Sequence, residues 1–505
     1  MSEVVRIPTE LREFLELPGP QSLVIRGPPG SGKTTLSIAL LEAFRGEKIL
    51  VTSRVPDREL HREFGWLGAD GGRSIQIIDT SEMEESIYNV GRMVRQARET
   101  LLAPAEPTDR DSSQFLWLPP PMQEAWARLT PRSPALVVVD SWDALIEGYL
   151  GNDGVDEVTV PDRGQIERVL LRRMGKAPAH IVFVLEREEQ TALDYLVNGV
   201  VVTRREAHSE RLRRWVDLVK LRGVRISSAS YPFTLEQARF ASILPVKPYE
   251  TLRSGAPDPE TDALPGFLWP GSRDFAESLG RLPFGKLTLI ELDAEASTDV
   301  GDVLSVPIMA HVLGRGGRVL VIPHSSETPE DLLTALNGSV SRERFLKNVR
   351  MLIPPGPVPK GKEELWHVVL SLPKPDTTRG ERAEDSEALR FLQEGASQES
   401  PALIVVSLEG LSAIATGLGT PITPEIAARL PQGFITTVRG RAAHAIVIAR
   451  KSDAALDVLR TIASTRAEVE VRQGRIFVHG LVPWTSTFVL TDGSREHPYS
   501  LLRVV

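Results

Sequence analysis

The sequence predicts an α/β fold built around a mostly parallel sheet, and three observations lead to this prediction. Wholly apolar segments such as Ala135–Val139 and Ile181–Leu185 recur along the chain, and such segments suit parallel strands that helices bury on both faces. A shorter segment, Leu23–Arg26, leads directly into a glycine-rich loop. After that loop, Thr34–Phe44 carries apolar side chains at helical spacing. Strands that alternate with helices in this way indicate crossover connections within one sheet.

The other segments of the first half follow the same pattern. We predict two further strands at Ile49–Thr52 and Ile75–Ile78, which are again short and apolar. Val200–Thr203 and Trp215–Leu221 are predicted as strands near the sheet edge, with a charged hairpin, Arg204–Arg214, between them. The first half is therefore predicted to form one α/β domain.

The length of the chain predicts more than one domain. At roughly 100–200 residues per domain, 505 residues are expected to form two or three. Residues 244–265 are rich in proline and polar residues, as linkers are. We therefore predict a first domain over residues 1–243 and a second over residues 266–505. Strand candidates restart in the second domain, at Leu287–Glu291, Val319–Ile322, Ala402–Ser407 and Ala445–Ile448, before a β-rich end.

Composition and charge exclude several classes of function. The net charge of −8 provides no general attraction to nucleic acids or acidic membranes, although Arg205–Arg214 is a candidate basic patch. The absence of cysteine excludes disulfides, zinc–thiolate sites and thiol catalysis, and the nine histidines show no metal-ligand spacing. No segment is long and apolar enough for a signal peptide or a membrane span. We expect a cytoplasmic protein without a membrane partner, and a nucleic-acid partner is not favoured.

One motif carries the chemistry of the first domain. The segment GPPGSGKT, Gly27–Thr34, fits the phosphate-binding pattern GxxxxGK[ST] in full. Glycines let backbone N–H groups surround the phosphates of a nucleotide, and the N-terminus of the following helix adds partial positive charge. Lys33 is expected to reach the β- and γ-phosphates, and the Thr34 hydroxyl to bind Mg²⁺. The predicted ATP contacts are Gly27, Pro28, Pro29, Gly30, Ser31, Gly32, Lys33, Thr34 and Thr35.

A second Mg²⁺ ligand is predicted at the end of a buried strand. The apolar run ALVVVD ends in Asp140, where a carboxylate can hold Mg²⁺, usually through a water molecule. Two alternatives stay open. Asp143 could be the operative acid, or Asp140 could merely cap a helix over Ser141–Ile146.

These motifs resemble the RecA superfamily, and specifically its branch that contains the circadian-clock ATPase KaiC. Over roughly residues 1–240, the resemblance rests on the P-loop, ILVTSRVPDREL, VVVDS and the pattern ALDYLVNGVVV…WVDLVKLRGVRISSASYPFTL. Within that branch, IPTELREFLELPGPQSLVIRG and TSRVPDRELHREFGWL resemble the gas-vesicle regulator GvpD and its archaeal relatives. The resemblance implies a RecA-like fold and a KaiC-like protein with a P-loop and a regulatory role.

The resemblance also implies a contact between subunits. In the KaiC-like branch, a Lys-x-Arg pair from one subunit reaches the γ-phosphate bound by its neighbour, and Lys220 and Arg222 of KLRG match that pair. Together with Lys33 they are the candidate catalytic residues, because an arginine at that point neutralises transition-state charge. The alternative is an ordinary pair of cations at a strand end. A ring of chains would use the pair, whereas a first domain packed on its own second domain would leave it unused.

One departure from the family pattern affects hydrolysis. The two family glutamates, one of which polarises the attacking water, fall on Arg54 and Val55, and neither side chain can act as a general base. Loss of such a base removes about 10²–10⁴ in rate. Glu59, Glu63 or Glu186 could substitute, and spacing does not choose among them. The sequence therefore predicts nucleotide binding together with slow turnover.

The second half resembles another RecA-like module that has lost its phosphate loop. Leu282-Pro283-Phe284-Gly285 and the strand Leu287–Glu291 match the start of such a module. The loop that follows, Asp293–Val300, holds three carboxylates and lacks Gly-Lys-Thr, and a later strand ends in Ser407 instead of aspartate. Because carboxylates repel triphosphate, we predict a degenerate RecA-like domain with a role in interaction. An unrelated α/β domain is the alternative.

Two main classes of function follow. The first is a slow Mg²⁺-dependent ATPase whose nucleotide state controls conformation or the binding of an unidentified protein partner. The second is a non-hydrolysing scaffold in which ATP only stabilises assembly. A DNA-repair ATPase of the RecA kind is a third interpretation, which the acidic balance of the chain disfavours. A homo-oligomer and a monomer both stay open.

Overall fold

A computed structural model describes residues 7–67, 75–80, 118–130, 133–150, 162–174, 179–244, 265–324, 327–354, 360–370, 387–394, 397, 399–417, 433, 442–492 and 499–505. The predicted linker at residues 244–265 lies almost wholly outside these ranges. The chain divides into two compact units, one of Met1–Ile243 with Val504–Val505 and one of Leu244–Arg503.

The first unit is built on one sheet with helices between its strands. Its strands are β1 Ser22–Arg26, β2 Glu47–Thr52, β3 Gln76–Asp79, β4 Ala135–Asp140, β5 Ala179–Val184, β6 Gly199–His208, β7 Arg211–Leu221, β8 Ser230–Thr234 and β9 Ala241–Ser242. Its helices are α1 Thr9–Glu16, α2 Lys33–Ala43, α3 Asp57–Glu63, α4 Pro120–Ala127, α5 Trp142–Leu150, α6 Arg163–Met174 and α7 Ala192–Leu196, with a short 3₁₀ helix at Glu236–Ala238. The strand order is β3-β2-β4-β5-β1-β6-β7-β8-β9. The neighbours from β3 to β6 are parallel, and those from β6 to β9 are antiparallel.

The continuous apolar run of β4 is explained by burial on both faces of the sheet. Leu136 and Val138 join the hydrophobic cluster that contains α2, whereas Val137 and Val139 join the cluster of α5 on the other face. Each such side chain contributes roughly 1.5–3 kcal/mol when fully buried. A strand with two buried faces loses the alternation of polar and apolar residues, and this is why the parallel strands were predictable from the sequence.

The two strands of the charged hairpin, β6 and β7, are longer than predicted. The segment Arg204–Arg214, predicted as a connection, continues β6 and β7 and leaves only Ser209 and Glu210 for the turn. Charged residues are tolerated here because they pair with one another. Arg204 donates to Asp217 on the neighbouring strand at 3.0 Å and to Glu206 on its own strand at 2.8 Å.

The second unit is built on a ten-stranded sheet and a separate two-stranded sheet. Its strands are β10 Phe267–Leu268, β11 Leu282–Pro283, β12 Leu287–Leu292, β13 Arg318–Ile322, β14 Val349–Leu352, β15 Val369–Leu370, β16 Ala402–Ser407, β17 Ala443–Arg450, β18 Thr465–Arg472, β19 Arg475–Val482, β20 Trp484–Asp492 and β21 Tyr499–Val504. Its helices are α8 Arg273–Leu279, α9 Asp302–Gly314, α10 Pro329–Ala335, α11 Arg342–Asn348, α12 Glu363–Trp366, α13 Glu387–Gln393, α14 Leu408–Gly417 and α15 Leu456–Ile462, with a 3₁₀ turn at Thr298–Gly301. The large sheet has the order β15-β14-β13-β16-β17-β12-β18-β19-β20-β21.

The two units share one topology. When β12 is matched to β1, the large sheet of the second unit repeats the strand order of the first, with β15 as an additional edge strand. Its neighbours from β15 to β18 are parallel, and β18, β19 and β20 are antiparallel, as in the first unit. The predicted fold class, a RecA-like α/β domain followed by a degenerate copy, is confirmed. Among the described helices, none combines the length and apolar character that a membrane-spanning helix needs.

Candidate nucleotide-binding site

The phosphate loop connects β1 to α2 at the carboxyl end of β1. Gly32, directly before the helix, has a φ of +89°, a left-handed conformation that favours glycine. A Cβ atom at Gly27 would lie 2.2 Å from the carbonyl oxygen of Thr203 on β6, so a side chain at this position would collide with the sheet. Ser31 Oγ donates to the Pro28 carbonyl oxygen at 2.7 Å. These contacts hold the loop in one curve before the N-terminus of an eleven-residue helix, where anions bind favourably.

Lys33 is folded over the loop that it belongs to. Its Nζ donates to the carbonyl oxygens of Gly27 at 2.7 Å and Pro28 at 2.9 Å. Burial lowers the pKa of Lys33, and the nearby carboxylates of Asp140 and Glu186 oppose this shift. The ammonium group therefore lies at the mouth of the loop, where phosphate oxygens can replace its two carbonyl partners.

The structure brings Thr34 and Asp140 together, although they are far apart in the sequence. Asp140 ends β4, and the Thr34 side chain at the start of α2 hydrogen-bonds to its carboxylate. Burial raises the pKa of Asp140, against the lowering effect of Thr34 and Lys33. A hydroxyl and a carboxylate are oxygen ligands of the kind that Mg²⁺ takes in proteins. The residues present therefore fit this cation.

Two alternatives to Asp140 as the Mg²⁺ ligand were considered, namely Asp143 as the acid and Asp140 as a helix cap. Asp143 is buried, and its carboxylate accepts from Arg163 Nη1 and from the Glu186 backbone N–H, both at 2.7 Å. It thus supports the segment that carries Glu186, and it is Asp140 that Thr34 contacts. The helix α5 begins after Ser141, whose Oγ accepts from the Ala144 N–H at 3.2 Å. Ser141 rather than Asp140 is therefore the capping side chain.

Arg54 and Glu186 form an ion pair at the edge of the same site. Arg54 Nη2 lies 2.5 Å from Glu186 Oε2. The other carboxylate oxygen of Glu186 accepts from Ser141 Oγ at 2.7 Å. The Ser141 backbone N–H in turn donates to Ser53 Oγ at 3.0 Å. Glu186 is therefore oriented by two partners on opposite sides of its carboxylate.

The other two candidate carboxylates lie elsewhere. Glu59 and Glu63 are exposed on α3, and Glu59 lies 3.7 Å from Arg62 on the same helix. Neither lines the cavity beside the phosphate loop. The described residues that line it are Pro29, Lys33, Thr34, Leu50, Thr52, Arg54, Val55, Leu60, Asp140 and Glu186.

Lys220 and Arg222 lie beside the start of β6, at the opposite end of the strands from the phosphate loop of the same chain. Lys220 Nζ donates to the carbonyl oxygens of Asp194, in α7, at 2.9 Å and of Val197, directly after α7, at 2.6 Å. The Arg222 backbone N–H donates to Asn198, directly before β6 begins, and its side chain is exposed. Because β6 runs parallel to β1, the start of β6 is remote from the loop that follows β1. Within one chain, the pair does not join the site.

Two arginines, Arg205 and Arg214, flank the phosphate loop and were not among the predicted site residues. Arg214 Nε lies 3.4 Å from the Gly30 carbonyl oxygen, and a Cβ atom at Gly30 would lie 3.5 Å from Arg205 Nη1. The two arginines pair across β6 and β7. Burial, followed by repulsion from Arg205, lowers the pKa of Arg214. The basic patch Arg205–Arg214 was the signal, but only the pairing of β6 with β1 places it beside the loop.

In the second unit, the loop that corresponds to the phosphate loop contacts two basic side chains of the same unit, Lys451 and Arg450. Lys451 Nζ lies 3.8 Å from Asp293 Oδ1, at the start of the acidic loop. Arg450 Nη1 donates to the Ala296 carbonyl oxygen at 3.0 Å. Both cations come from the end of β17, the strand that corresponds to β5. These basic side chains thus contact the loop whose counterpart in the first unit carries Lys33 and the glycine N–H groups.

Comparisons with known proteins agree with this geometry. Residues 11–219 match the family model described as GvpD gas vesicle protein, P-loop domain. Two curated proteins of Halobacterium salinarum (strain ATCC 700922 / JCM 11081 / NRC-1) are similar. Protein GvpD1 is 28% identical over 348 residues, which are 68% of this chain and 61% of that protein. Protein GvpD2 is 27% identical over 351 residues, which are 68% of this chain and 66% of that protein. The match thus spans less than two thirds of each relative.

Proposed function

The first unit of this chain is a GvpD-type P-loop domain, and on that premise we propose that it binds Mg²⁺–ATP. We propose further that the nucleotide state regulates the conformation of the protein or its binding to a protein partner. The observation that carries the proposal is the convergence of Lys33, Thr34 and Asp140 beside the phosphate loop. The pocket joins one cation, one hydroxyl and one buried carboxylate, which is the set that phosphoryl-transfer sites of the P-loop class use.

Binding requires a rearrangement of Lys33. Its Nζ exchanges the Gly27 and Pro28 carbonyl oxygens for phosphate oxygens, and the cost is small because the phosphates carry more negative charge. Thr34 and Asp140 hold their positions through their mutual hydrogen bond. Bound Mg²⁺ supplies charge neutralisation on the β- and γ-phosphates.

Slow hydrolysis is the second part of the proposal, and Glu186 is its candidate general base. Its carboxylate lines the pocket, and the Ser141 hydroxyl orients it. However, Arg54 lies on its other oxygen, so both carboxylate oxygens already have partners and neither is free to orient an attacking water. We therefore infer that turnover is well below the enzyme median of about 10 s⁻¹.

A non-hydrolysing ATP-binding scaffold is the alternative, and the same Arg54–Glu186 pair favours it. The two functions differ in steady-state phosphate release by the wild type and by Lys33→Ala. Release that exceeds the Lys33→Ala background supports the ATPase. Nucleotide binding without such release supports the scaffold.

The regulatory part is tested by the conformation of the full chain. Hydrogen exchange of the protein with ATP, with ADP and without nucleotide should differ beyond the residues that touch the ligand. If only the pocket is protected, ATP acts as a local stabiliser and the regulatory proposal is wrong. Because the matching family model is that of a gas vesicle protein, the partner is to be sought first among gas vesicle proteins of the same cell, in its cytoplasm.

A further inference from the structure

The second unit has a counterpart of the nucleotide pocket, with its charges reversed. In the first unit Asp140 pairs with Val184, and in the second Ser407 pairs with Ile448 in the matching strands. The helix that follows β1 begins at Lys33 after Gly32, and the helix that follows β12 begins at Asp302 after Gly301. A carboxylate therefore begins the helix where the phosphate-binding lysine begins it in the first unit. This arrangement disfavours an anionic ligand and favours a cation.

Three side chains of different residues converge at this carboxylate. The ligand atoms of Asp302, His324 and Glu327 all lie within 4.8 Å of one another, and His324 Nε2 is 3.6 Å from Asp302 Oδ2. His324 follows β13 by two residues, as Arg54 follows β2, and Glu327 precedes α10. The cluster is thus assembled from two separate parts of the sheet edge. The His324 and Asp302 side chains are only 15% and 16% exposed.

The cluster places two carboxylates against one imidazole. Asp331 is a further negative neighbour of Glu327. Among the described residues, no hydrogen bond or ion pair to the Glu327 carboxylate is found. Lys362 is paired with Glu330 at 3.0 Å. His324 therefore faces two carboxylates, Asp302 and Glu327, with a third nearby at Asp331, and a cation would remove the cost of this arrangement.

We propose that Asp302, His324 and Glu327 bind a divalent transition-metal ion, Zn²⁺ or an ion of similar size, in the second unit. One imidazole nitrogen and two carboxylate oxygens match the ligands of such ions, whereas Mg²⁺ takes oxygen almost exclusively. Two ligands of a tetrahedral ion at about 2.0–2.2 Å lie roughly 3.3–3.6 Å apart. The 3.6 Å separation of His324 Nε2 and Asp302 Oδ2 is at the upper end of this range. Three protein ligands leave one position for water or a further ligand.

The functional consequence is a second ligand-responsive unit in one chain. Metal binding in the second unit would fix the segment after β13 to the start of α9, two elements that correspond to those around ATP in the first unit. The chain would then respond to two signals, nucleotide and metal, through the same kind of pocket. This proposal does not depend on ATP binding by the first unit.

The test uses the full chain, freed of metal with a chelator and free of nucleotide. Equilibrium dialysis with Co²⁺, a spectroscopic substitute for Zn²⁺, should show one tightly bound ion per chain with visible absorption bands of a nitrogen–oxygen site. Excess Mg²⁺ should not displace it. His324→Ala and Glu327→Gln should each weaken binding at least about tenfold, since even outer-shell partners of metal sites cost 10–100-fold. His367→Ala, which removes an exposed histidine of the same unit, is the matched control and should bind as the wild type does.

Two results would overturn the proposal. One is a wild type that binds no stoichiometric Co²⁺. The other is binding that both His324→Ala and Glu327→Gln retain at full affinity. Circular dichroism of each variant shows whether it is folded. Glu327→Gln preserves the shape of the side chain, so it decides the matter if His324→Ala does not fold.

Discussion

Arg54 Nη2 lies 2.5 Å from Glu186 Oε2. Arg54, which falls where the resemblance to the KaiC-like branch places a glutamate, thus pairs with the one carboxylate, besides Asp140, among the described residues that line the cavity beside the phosphate loop. The pair is partly open to solvent, with Arg54 61% and Glu186 30% exposed. It is therefore weak enough to open when a ligand binds.

We expect the Arg54–Glu186 pair to restrain hydrolysis. Glu186→Gln should reduce ATP turnover by about 10²–10⁴, since it removes a general base. Arg54→Ala should raise turnover by up to about fivefold, the equivalent of an exposed ion pair worth about 0.2–1 kcal/mol. Steady-state phosphate release measures both changes, with Glu59→Gln on the exposed face of α3 as control. Equal rates for wild type and Glu186→Gln would remove Glu186 from the mechanism.

We expect one Mg²⁺–ATP site per chain. Lys33→Ala should weaken binding at least about tenfold, or about 1.4 kcal/mol, and leave the unfolding transition in place, because the Lys33 hydrogen bonds seen among the described residues go to carbonyl oxygens of the loop. Calorimetric titration measures stoichiometry and affinity. Lys347→Ala, an exposed lysine of the second unit, is the control. Two sites per chain would show that the acidic loop Asp293–Val300 binds nucleotide after all.

Asp143 is expected to be a determinant of stability. Its buried carboxylate accepts from Arg163 and from the Glu186 N–H, so Asp143→Ala removes one of two partners of Arg163, which keeps Glu167, and leaves the Glu186 N–H without its acceptor. A buried polar group that loses its hydrogen-bond partner costs about 1–3 kcal/mol. Urea unfolding of the nucleotide-free protein measures the loss. Glu147→Ala removes an exposed partner of Arg187 and should change stability by less than about 1 kcal/mol. Similar effects of the two substitutions would contradict this assignment.

Arg222 is expected to act only between chains. In its own chain it lies at the opposite end of the strands from the phosphate loop, so a role in hydrolysis requires a neighbour. We expect ATP to promote a homo-oligomer, and Arg222→Ala to hydrolyse ATP at least about tenfold more slowly, since arginine fingers contribute 10³–10⁵. Light scattering with ATP, with ADP and without nucleotide measures assembly. Arg225→Ala, a nearby exposed arginine, is the control. A wild type that is monomeric throughout, with an Arg222→Ala rate equal to its own, contradicts the prediction.

Acid is expected to destabilise the second unit through His444. Its imidazole is buried between the Pro283 carbonyl oxygen at 2.8 Å and the Thr288 hydroxyl at 2.9 Å, and burial lowers the pKa of His444 from 6.5 to about 4. Between those values the unfolded chain binds more protons than the folded chain, so stability falls as the pH drops from about 6.5 and levels off near 4. The full shift corresponds to about 3 kcal/mol. Denaturant unfolding of wild type and His444→Gln across this range measures it. Parallel pH profiles would show that His444 does not contribute.

Local chemistry was predictable from the sequence. The phosphate loop at Gly27–Thr34 is formed by contiguous residues, and buried strands such as Ala135–Val139 are continuous apolar runs. Both features depend on residues that are neighbours in the chain, so the sequence predicts them directly. The acidic loop Asp293–Val300 likewise predicted a second unit without phosphate chemistry, a prediction that the titration above tests. For the charged hairpin, however, the predicted strand ended at Thr203, whereas β6 continues to His208. The cross-strand partner of Arg204, Asp217, belongs to the next strand.

The choice among distant side chains was made by the tertiary structure alone. Spacing left Glu59, Glu63 and Glu186 equivalent, whereas the adjacency of β4 and β5 places Glu186 beside Asp140. Histidine spacing showed no metal ligands, yet the strand order brings His324 to Asp302. The physical reason is that hydrophobic periodicity specifies which residues form a strand and which face is buried, but not which strand lies beside it. That order is decided when helices pack on both faces of a sheet, and with it the side chains that meet at its carboxyl edge.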